Sequence, residues 1–150
     1  MNTHTESATS ATAQAASRWL FAAWLIALAA TLGALFMGEV MGKTPCVLCW
    51  YQRIAMFPLA IILFLGLVPF DPRSIRYALP LAAIGWLIAL YHCLLFWGVV
   101  PEDLIQCAQG ASCKDADVQI AGFVPIPLLS LLAFTLVVGL LFLARRKSRE

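Results

Sequence analysis

The sequence has little charge and few histidines. Only 12% of its 150 residues are Asp, Glu, Lys or Arg, whereas a soluble domain carries about 25%. Hydrophobic residues make up 62%, and the mean hydropathy is +0.87. This composition leaves too little polar surface for a water-soluble globular fold. The net charge of +2 comes with no nucleic-acid motif and no basic face, which excludes nucleic acid as a partner.

The hydrophobic residues are concentrated in four long runs. Each run is close to the roughly 20 residues that a helix needs to cross the hydrocarbon core of a bilayer. The connections are short, as expected of antiparallel neighbours. We therefore predict an all-α membrane protein in residues 18–144, a four-transmembrane-helix bundle with two short outward-facing cysteine loops. The runs cover residues 19–37, 54–70, 77–100 and 118–144.

The two ends of the chain differ from the bundle in composition. Residues 1–17 are polar and small, which predicts a disordered N-terminal tail. Residues 145–150 form a short basic C-terminal tail. A cleaved signal peptide is the alternative interpretation of the first run. It requires a basic n-region and a shorter apolar stretch than the 19 residues that follow Arg18.

Lysine and arginine are unevenly distributed between the two predicted sides of the membrane. Four spans place seven basic residues on the side of the termini and three on the other side. The positive-inside rule makes the richer side cytoplasmic. Both cysteine loops then face outward, where disulfides can form. The seven are Arg18, Arg73, Arg76, Arg145, Arg146, Lys147 and Arg149, and the three are Lys43, Arg53 and Lys114.

Four of the five cysteines lie in the predicted outward loops. Their spacing suggests two pairs, Cys46 with Cys49 and Cys107 with Cys113. A CxxC disulfide closes a very short loop and adds little stability, so such pairs are usually catalytic or metal-binding. The second pair lies in a polar segment, and exposed, mobile disulfides are typically exchangeable. Inert bridges that staple the loops and a four-cysteine zinc site are the alternatives.

Arg53 lies below the CxxC on the second predicted helix. Pro45 favours a helix start at the CxxC, which puts Cys49 near a helix N-terminus, where the dipole favours a thiolate. Arg53 follows Cys49 by four residues, so both share a face, with the arginine about 6 Å deeper. A cation there favours the thiolate form of Cys49. The alternative for a lone interfacial arginine is snorkelling to lipid phosphate.

His92 is a second polar residue within an apolar run. It precedes Gly98 by six residues, which puts it roughly 9 Å below the outward surface, at a depth similar to Arg53. An intramembrane histidine is a functional-site candidate, with a hydrogen bond to a neighbouring helix as the alternative. A thiolate, a cation and a histidine at lipid depth suit a membrane quinone, whose oxygens gain negative charge on reduction. Trp50 could stack on its ring or serve as an interfacial anchor.

The stretch GEVMGKTPCVLCWYQRIAMFPL, residues 38–59, resembles the signature of the DsbB/BdbC family of disulfide bond formation proteins. In that family a CxxC is followed by Trp-Tyr-Gln-Arg-Ile and then by Pro. The histidine in LYHCLLFW and the segment GFVPIPLLSLLAF also match. The resemblance covers about residues 19–144.

The resemblance implies a bacterial inner-membrane enzyme with both termini in the cytoplasm. It would reoxidise a DsbA-like thioredoxin-fold thiol oxidase outside the cytoplasm and pass the electrons to a quinone, ubiquinone or menaquinone. By position, Cys107 would form the mixed disulfide with the partner, and Cys113 would exchange with Cys46. Cys49 would be the thiolate that meets the quinone.

The resemblance also assigns the polar residues of the predicted bundle. Arg53 would be the activating cation, and His92 would lie near the quinone ring. The loop with the outer cysteine pair is more compact than in the Gram-negative DsbB branch and is closer to the BdbC branch. Cys93 lies outside the four-cysteine pattern of the family, and we predict that it is a buried free thiol.

Two other functions fit four spans with cysteine loops. One is a membrane scaffold whose disulfides are purely structural, in which replacing Cys49 by Ser would change folding without a redox phenotype. The other is a protein that passes reducing electrons outward. That function needs a cysteine pair reachable from the cytoplasm, and the sequence offers only Cys93 within the membrane.

Overall fold

Four long helices form the part of the chain that the computed structural model describes, residues 3–100 and 125–149, with side chains from Thr12 onwards. Each helix is long and apolar enough to cross a membrane, which confirms the predicted all-α four-span architecture. The helices are α1 (Thr3–Leu35), α2 (Val47–Leu65), α3 (Ser74–Phe96) and α4 (Ile126–Lys147), and a π-helical turn, Phe36–Val40, follows α1 directly. The predicted loop with Cys107 and Cys113 lies outside the described residues.

The first helix begins far ahead of the apolar run. Where the sequence predicts a disordered tail, α1 begins at Thr3. Five of the residues 3–17 are alanines, and alanine has the highest helix propensity. Extending an existing membrane helix also avoids the cost of nucleation. Ala16 is fully buried, so this extension is packed against the rest of the protein at that point.

The second helix begins at the CxxC, as Pro45 predicts. Cys46 is the N-cap of α2 and Val47 its first helical residue. The apolar run predicted from hydropathy starts only at residue 54, because the polar Gln52 and Arg53 interrupt it. Both of these side chains find partners within the bundle, so the helix includes them.

The helices pack in a ring. Each helix contacts its neighbours in the chain, and α4 closes the ring against α1. Close approach depends on small residues, as is typical of membrane bundles. At Gly85 of α3, an added Cβ would lie 2.2 Å from a ring carbon of Phe134 in α4. The alanines of the core are Ala23, Ala27, Ala55, Ala60, Ala78, Ala82, Ala89 and Ala144.

The two ends of the bundle have different chemistry. Arg73 and Arg76 from the start of α3 and Arg145 and Arg149 from the end of α4 line one cavity of about 190 Å³. These four arginines belong to the basic side of the predicted topology, so their proximity agrees with antiparallel spans. The start of α2 and the end of α3 lie at the opposite end, and the candidate site is built there.

Candidate functional site

The CxxC forms the first turn of α2. Cys46 has extended backbone angles, φ −66° and ψ 165°, and its sulfur accepts a hydrogen bond from the backbone N–H of Cys49 at 3.4 Å. A sulfur thus caps the helix, as an oxygen does at most N-caps. The Sγ atoms of Cys46 and Cys49 lie 2.9 Å apart, which is longer than a disulfide bond. The two thiols are therefore adjacent and can be joined by a small movement.

The two cysteines have different environments. Cys46 is 2% exposed and packs with Leu48 and Leu95, whereas Cys49 lies at the edge of this cluster and is half-buried. The Cys46 thiol donates to the Cys49 sulfur. This hydrogen bond and, second, burial raise the pKa of Cys46 to about 12. Cys46 therefore keeps its proton at neutral pH, and negative charge on the pair is favoured at Cys49.

A chain of buried polar side chains connects Cys46 to α4. His92 of α3 is fully buried, and its Nε2 lies 3.8 Å from the Cys46 sulfur. Its Nδ1 lies 3.1 Å from Nε2 of Gln52 in α2. The hydroxyl of Ser130 in α4 donates to Oε1 of Gln52. Four side chains from three helices thus satisfy one another inside the bundle, as buried polar groups must.

Arg53 connects the start of α2 to the end of α1. Its Nη2 donates to the backbone carbonyl of Ala34 at 2.8 Å, just before the π-helical turn. Gly38, inside that turn, leaves room for the guanidinium, because an added Cβ would lie 3.1 Å from Nη1. The guanidinium carbon also lies 5.5 Å from the ring centroid of Trp50, within cation–π range. Arg53 is thus held by a backbone oxygen and an aromatic ring.

The surface beside the dithiol is aromatic. Trp50 is 52% exposed and Trp97 is 59% exposed. Exposed tryptophans at helix ends are typical interfacial anchors, and both lie at the end of the bundle that carries the dithiol. Phe57, two helical turns deeper than Trp50 on α2, packs partly against the hydrophobic core.

Cys46, Cys49 and His92 could also hold a metal ion. Their two sulfurs and a ring nitrogen all lie within 4.8 Å of one another. Two thiolates and an imidazole supply three of the four ligands of a tetrahedral zinc site. The four-cysteine zinc site considered from the sequence also needs Cys107 and Cys113, which lie outside the described residues.

Three of the predicted site residues come together in the structure. Cys46, Cys49 and His92 form one contiguous group. Arg53 and Trp50 form a second group that contacts α1. Cys93 is buried and free, as predicted.

Sequence reasoning missed two members of the polar chain. Both lie in stretches that match the family, Gln52 in WYQRI and Ser130 in GFVPIPLLSLLAF, but neither is a predicted site residue. Each interrupts an otherwise apolar helix, which is a recognisable signal, since polar side chains within spans usually bond across helices. The sequence alone does not say which histidine or amide such a residue meets.

The fold and the site define a class of protein: a four-span membrane bundle with a dithiol at one end, next to polar groups buried between its helices. The family profile described as "Disulfide bond formation protein DsbB" matches residues 16–144. The "Probable disulfide formation protein" of Metapseudomonas resinovorans is 48% identical over 130 residues, which cover 86% of this chain and 90% of that protein. The "Disulfide bond formation protein C" of Bacillus subtilis is 38% identical over 137 residues, covering 88% and 96%. No solved structure matches the chain significantly.

The chain belongs to the DsbB family of disulfide bond formation proteins. This confirms the resemblance that the WYQRI motif and its surroundings indicate. The protein is therefore a multi-pass membrane protein of a disulfide-generating family, and family membership implies disulfide oxidoreductase activity.

Proposed function

We propose that the protein reoxidises an extracytoplasmic, DsbA-like thioredoxin-fold thiol oxidase and passes the two electrons to a membrane quinone, ubiquinone or menaquinone. It would do so in a bacterial inner membrane, with both termini cytoplasmic and the cysteine loops outside. One observation carries the proposal. A dithiol opens a membrane-spanning helix, with one sulfur buried against His92 and the other half-buried. Such a pair can exchange with a protein thiol on the aqueous side and face a lipid-soluble acceptor on the other.

Hydrogen-bond donors on α1 and α2 fit a quinone. A guanidinium has five N–H donors, and within the described residues Arg53 makes one hydrogen bond, to Ala34. Thr31 precedes Ala34 by one turn on the same face of α1, and its buried hydroxyl has no hydrogen-bond partner among the described residues. A quinone has two carbonyl oxygens, which need donors when they gain charge. Arg53 and Thr31 can supply them, and Trp50 offers a ring for stacking.

A bound quinone supplies a two-electron acceptor that diffuses within the bilayer. The protein supplies position and charge. Arg53 would hold an oxygen through its remaining N–H groups, and its fixed charge would stabilise negative charge there. Cys49 is the sulfur suited to donate electrons, because the Cys46 thiol already donates a hydrogen bond to it and the N-terminal end of α2 favours an anion.

On the outward side the proposed steps are thiol–disulfide exchanges. The partner's first thiolate bonds to Cys107, and the electron pair of the Cys107–Cys113 bond goes to Cys113. The Cys113 thiolate bonds to Cys46, and the Cys46–Cys49 bond breaks with its electron pair on Cys49. The inner pair thereby receives the electrons without direct contact with the partner.

Two further exchanges restore the outer pair. The partner's second thiolate bonds to its own first sulfur, which releases the oxidised partner and leaves a thiolate on Cys107. That thiolate bonds to Cys113, and the Cys113–Cys46 bond breaks with its electron pair on Cys46. The net result is one disulfide in the partner and a reduced Cys46–Cys49 pair, so two electrons have moved inward.

The test combines purified protein, a reduced thioredoxin-like oxidase and a quinone, with quinone absorbance as the readout. The intact protein should reduce the quinone, and the Cys49→Ser variant should not, although it folds. Cys93→Ala is the matched control, since this buried cysteine takes no part in the proposed steps, and it should retain activity. No quinone reduction by intact protein with its disulfides formed would overturn the proposal. Tightly bound zinc in the purified protein would favour a metal site instead.

A further inference from the structure

The buried polar chain has a direction that the placement of the Gln52 amide sets. Its Oε1 accepts from the hydroxyl of Ser130, because an amide oxygen can only accept. The NH₂ group of Gln52 is therefore the end that faces His92. Its Nε2 lies 3.1 Å from Nδ1 of the ring. Because the amide nitrogen donates, Nδ1 must accept and carries no proton.

The Cys46 end agrees with this direction. A thiol has one proton, and that of Cys46 points to the Cys49 sulfur. Toward His92 the Cys46 sulfur can therefore only accept. The ring nitrogen that faces it at 3.8 Å is Nε2, which must be the protonated nitrogen. Both ends of the chain thus require the same neutral tautomer of His92.

We infer that Gln52 and Ser130 are positioning residues that hold His92 as its Nε2–H tautomer, so that the ring donates a hydrogen bond to the Cys46 sulfur. Nothing else among the described residues bonds to this ring. Burial strengthens the effect, because His92 is fully buried and Gln52 is 7% exposed. The tautomer is thus selected by an amide on α2 and a hydroxyl on α4, and the described part of the chain gives the ring no charged partner.

The consequence for the reaction rests on the proposed function. When the outer disulfide re-forms, the Cys113–Cys46 bond breaks and its electron pair stays on Cys46. The Nε2–H of His92 then donates to a thiolate in place of a thiol, and hydrogen bonds to charged groups are the stronger ones. No proton needs to move in this step. His92 would therefore act on Cys46 as a hydrogen-bond donor. Gln52 keeps Nδ1 of the ring unprotonated by donating a hydrogen bond to it.

Gln52→Glu replaces the hydrogen-bond donor that faces His92 by an acceptor, with almost no change in the shape of the side chain. A carboxylate has no N–H to donate, so it can only accept from the ring. It would draw the proton of His92 to Nδ1, or hold the ring as an imidazolium. The neutral Gln52→Leu variant would weaken the preference for the Nε2–H tautomer, because only the contact with Cys46 would still favour it. Thr135→Val is the matched control, because it removes a different bond between α3 and α4, that from Trp86 Nε1 at 2.9 Å.

The measurement is nitrogen NMR of the full chain in a membrane mimetic with isotope-labelled histidine. The chain has two histidines, and the His4→Gln variant leaves only the signals of His92. We expect a neutral ring protonated at Nε2 in this protein and in the Thr135→Val variant. In Gln52→Glu we expect the proton at Nδ1, or at both nitrogens. Ser130→Ala should weaken the Nε2–H preference without reversing it.

An activity readout accompanies the spectrum. Loss of a hydrogen bond to a charged sulfur should lower kcat by about ten- to a hundredfold in Gln52→Glu, with Thr135→Val unchanged. A ring protonated at Nδ1 or at both nitrogens in the protein with native Gln52 would overturn the inference, and this result needs no variant at the site. If His92 keeps the same tautomer in the Gln52→Glu variant, the inference is overturned as well. If quinone reduction fails but the tautomer is as stated, the proposed function fails and the positioning role stands.

Discussion

Cys46 should react with alkylating reagents about a thousandfold more slowly than an ordinary thiol at neutral pH, because its pKa is raised from 9.0 to about 12 and each pKa unit is a factor of ten. Only the thiolate is a nucleophile. Because the pKa of Cys46 is raised, its alkylation rate should keep rising with pH beyond 9.0 and level off only near 12.

Two substitutions should shift the pH dependence of the Cys46 alkylation rate in opposite directions. Cys49→Ala removes the hydrogen bond that contributes most to the raised pKa of Cys46, so Cys46 should react faster at a given pH. His92→Ala removes a hydrogen bond that lowers the same pKa, so Cys46 should react more slowly. The assay alkylates fully reduced protein over a series of pH values and quantifies the Cys46 peptide by mass spectrometry. Alanines at Cys107 and Cys113 keep the outer pair from interfering.

Steric hindrance alone would give a different result. A sulfur that is 2% exposed also reacts slowly for steric reasons, but steric hindrance lowers the rate by a similar factor at every pH. The pH at which the rate levels off therefore separates the two causes. A profile of the reduced protein that levels off at the ordinary thiol pKa would refute the reasoning. So would a Cys49→Ala variant with an unchanged profile.

Three further predictions concern Arg53 and the glycines. Arg53→Gln should lower the rate of quinone reduction by about 10²–10³-fold, as loss of an oxyanion donor does. Arg53→Lys should retain part of the rate, because lysine keeps the positive charge but lacks the paired N–H donors of a guanidinium. Gly38→Ala, whose Cβ would lie 3.1 Å from Nη1, should lower quinone reduction, whereas Gly33→Ala, with nothing within 4 Å, should not. Gly85→Ala would place a Cβ 2.2 Å from an aromatic ring of α4 and should cost about 1–3 kcal/mol of stability. Gly139→Ala, in open space, should not lower the thermal unfolding temperature.

The features that could be predicted from the sequence depend on local pattern. Run length and hydropathy predict four spans because a bilayer sets the length of a helix. Pro45 predicts the helix start at Cys46 because proline is favoured where a helix begins. Helical rise predicts His92 in the outward half of the bundle, at a depth similar to Arg53, and the structure brings its ring to the Cys46 sulfur.

The features that could not be predicted depend on how the helices rotate and pack. The contact between Gln52 and His92 joins two helices, and no spacing within one helix reveals it. Arg53 bonds a backbone carbonyl of α1, an acceptor that every residue carries and that no sequence pattern marks. The helical start of the chain at Thr3 was missed because small polar residues fit both a tail and an alanine-rich helix.

The central claim is that the Cys46–Cys49 dithiol delivers two electrons directly to a quinone. The most direct measurement uses a variant with alanine at Cys107 and Cys113, reduced and mixed anaerobically with a stoichiometric amount of quinone, with no partner present. We predict one Cys46–Cys49 disulfide and one quinol for each protein, identified by mass spectrometry and absorbance. Both thiols unreacted beside an unchanged quinone would contradict the claim.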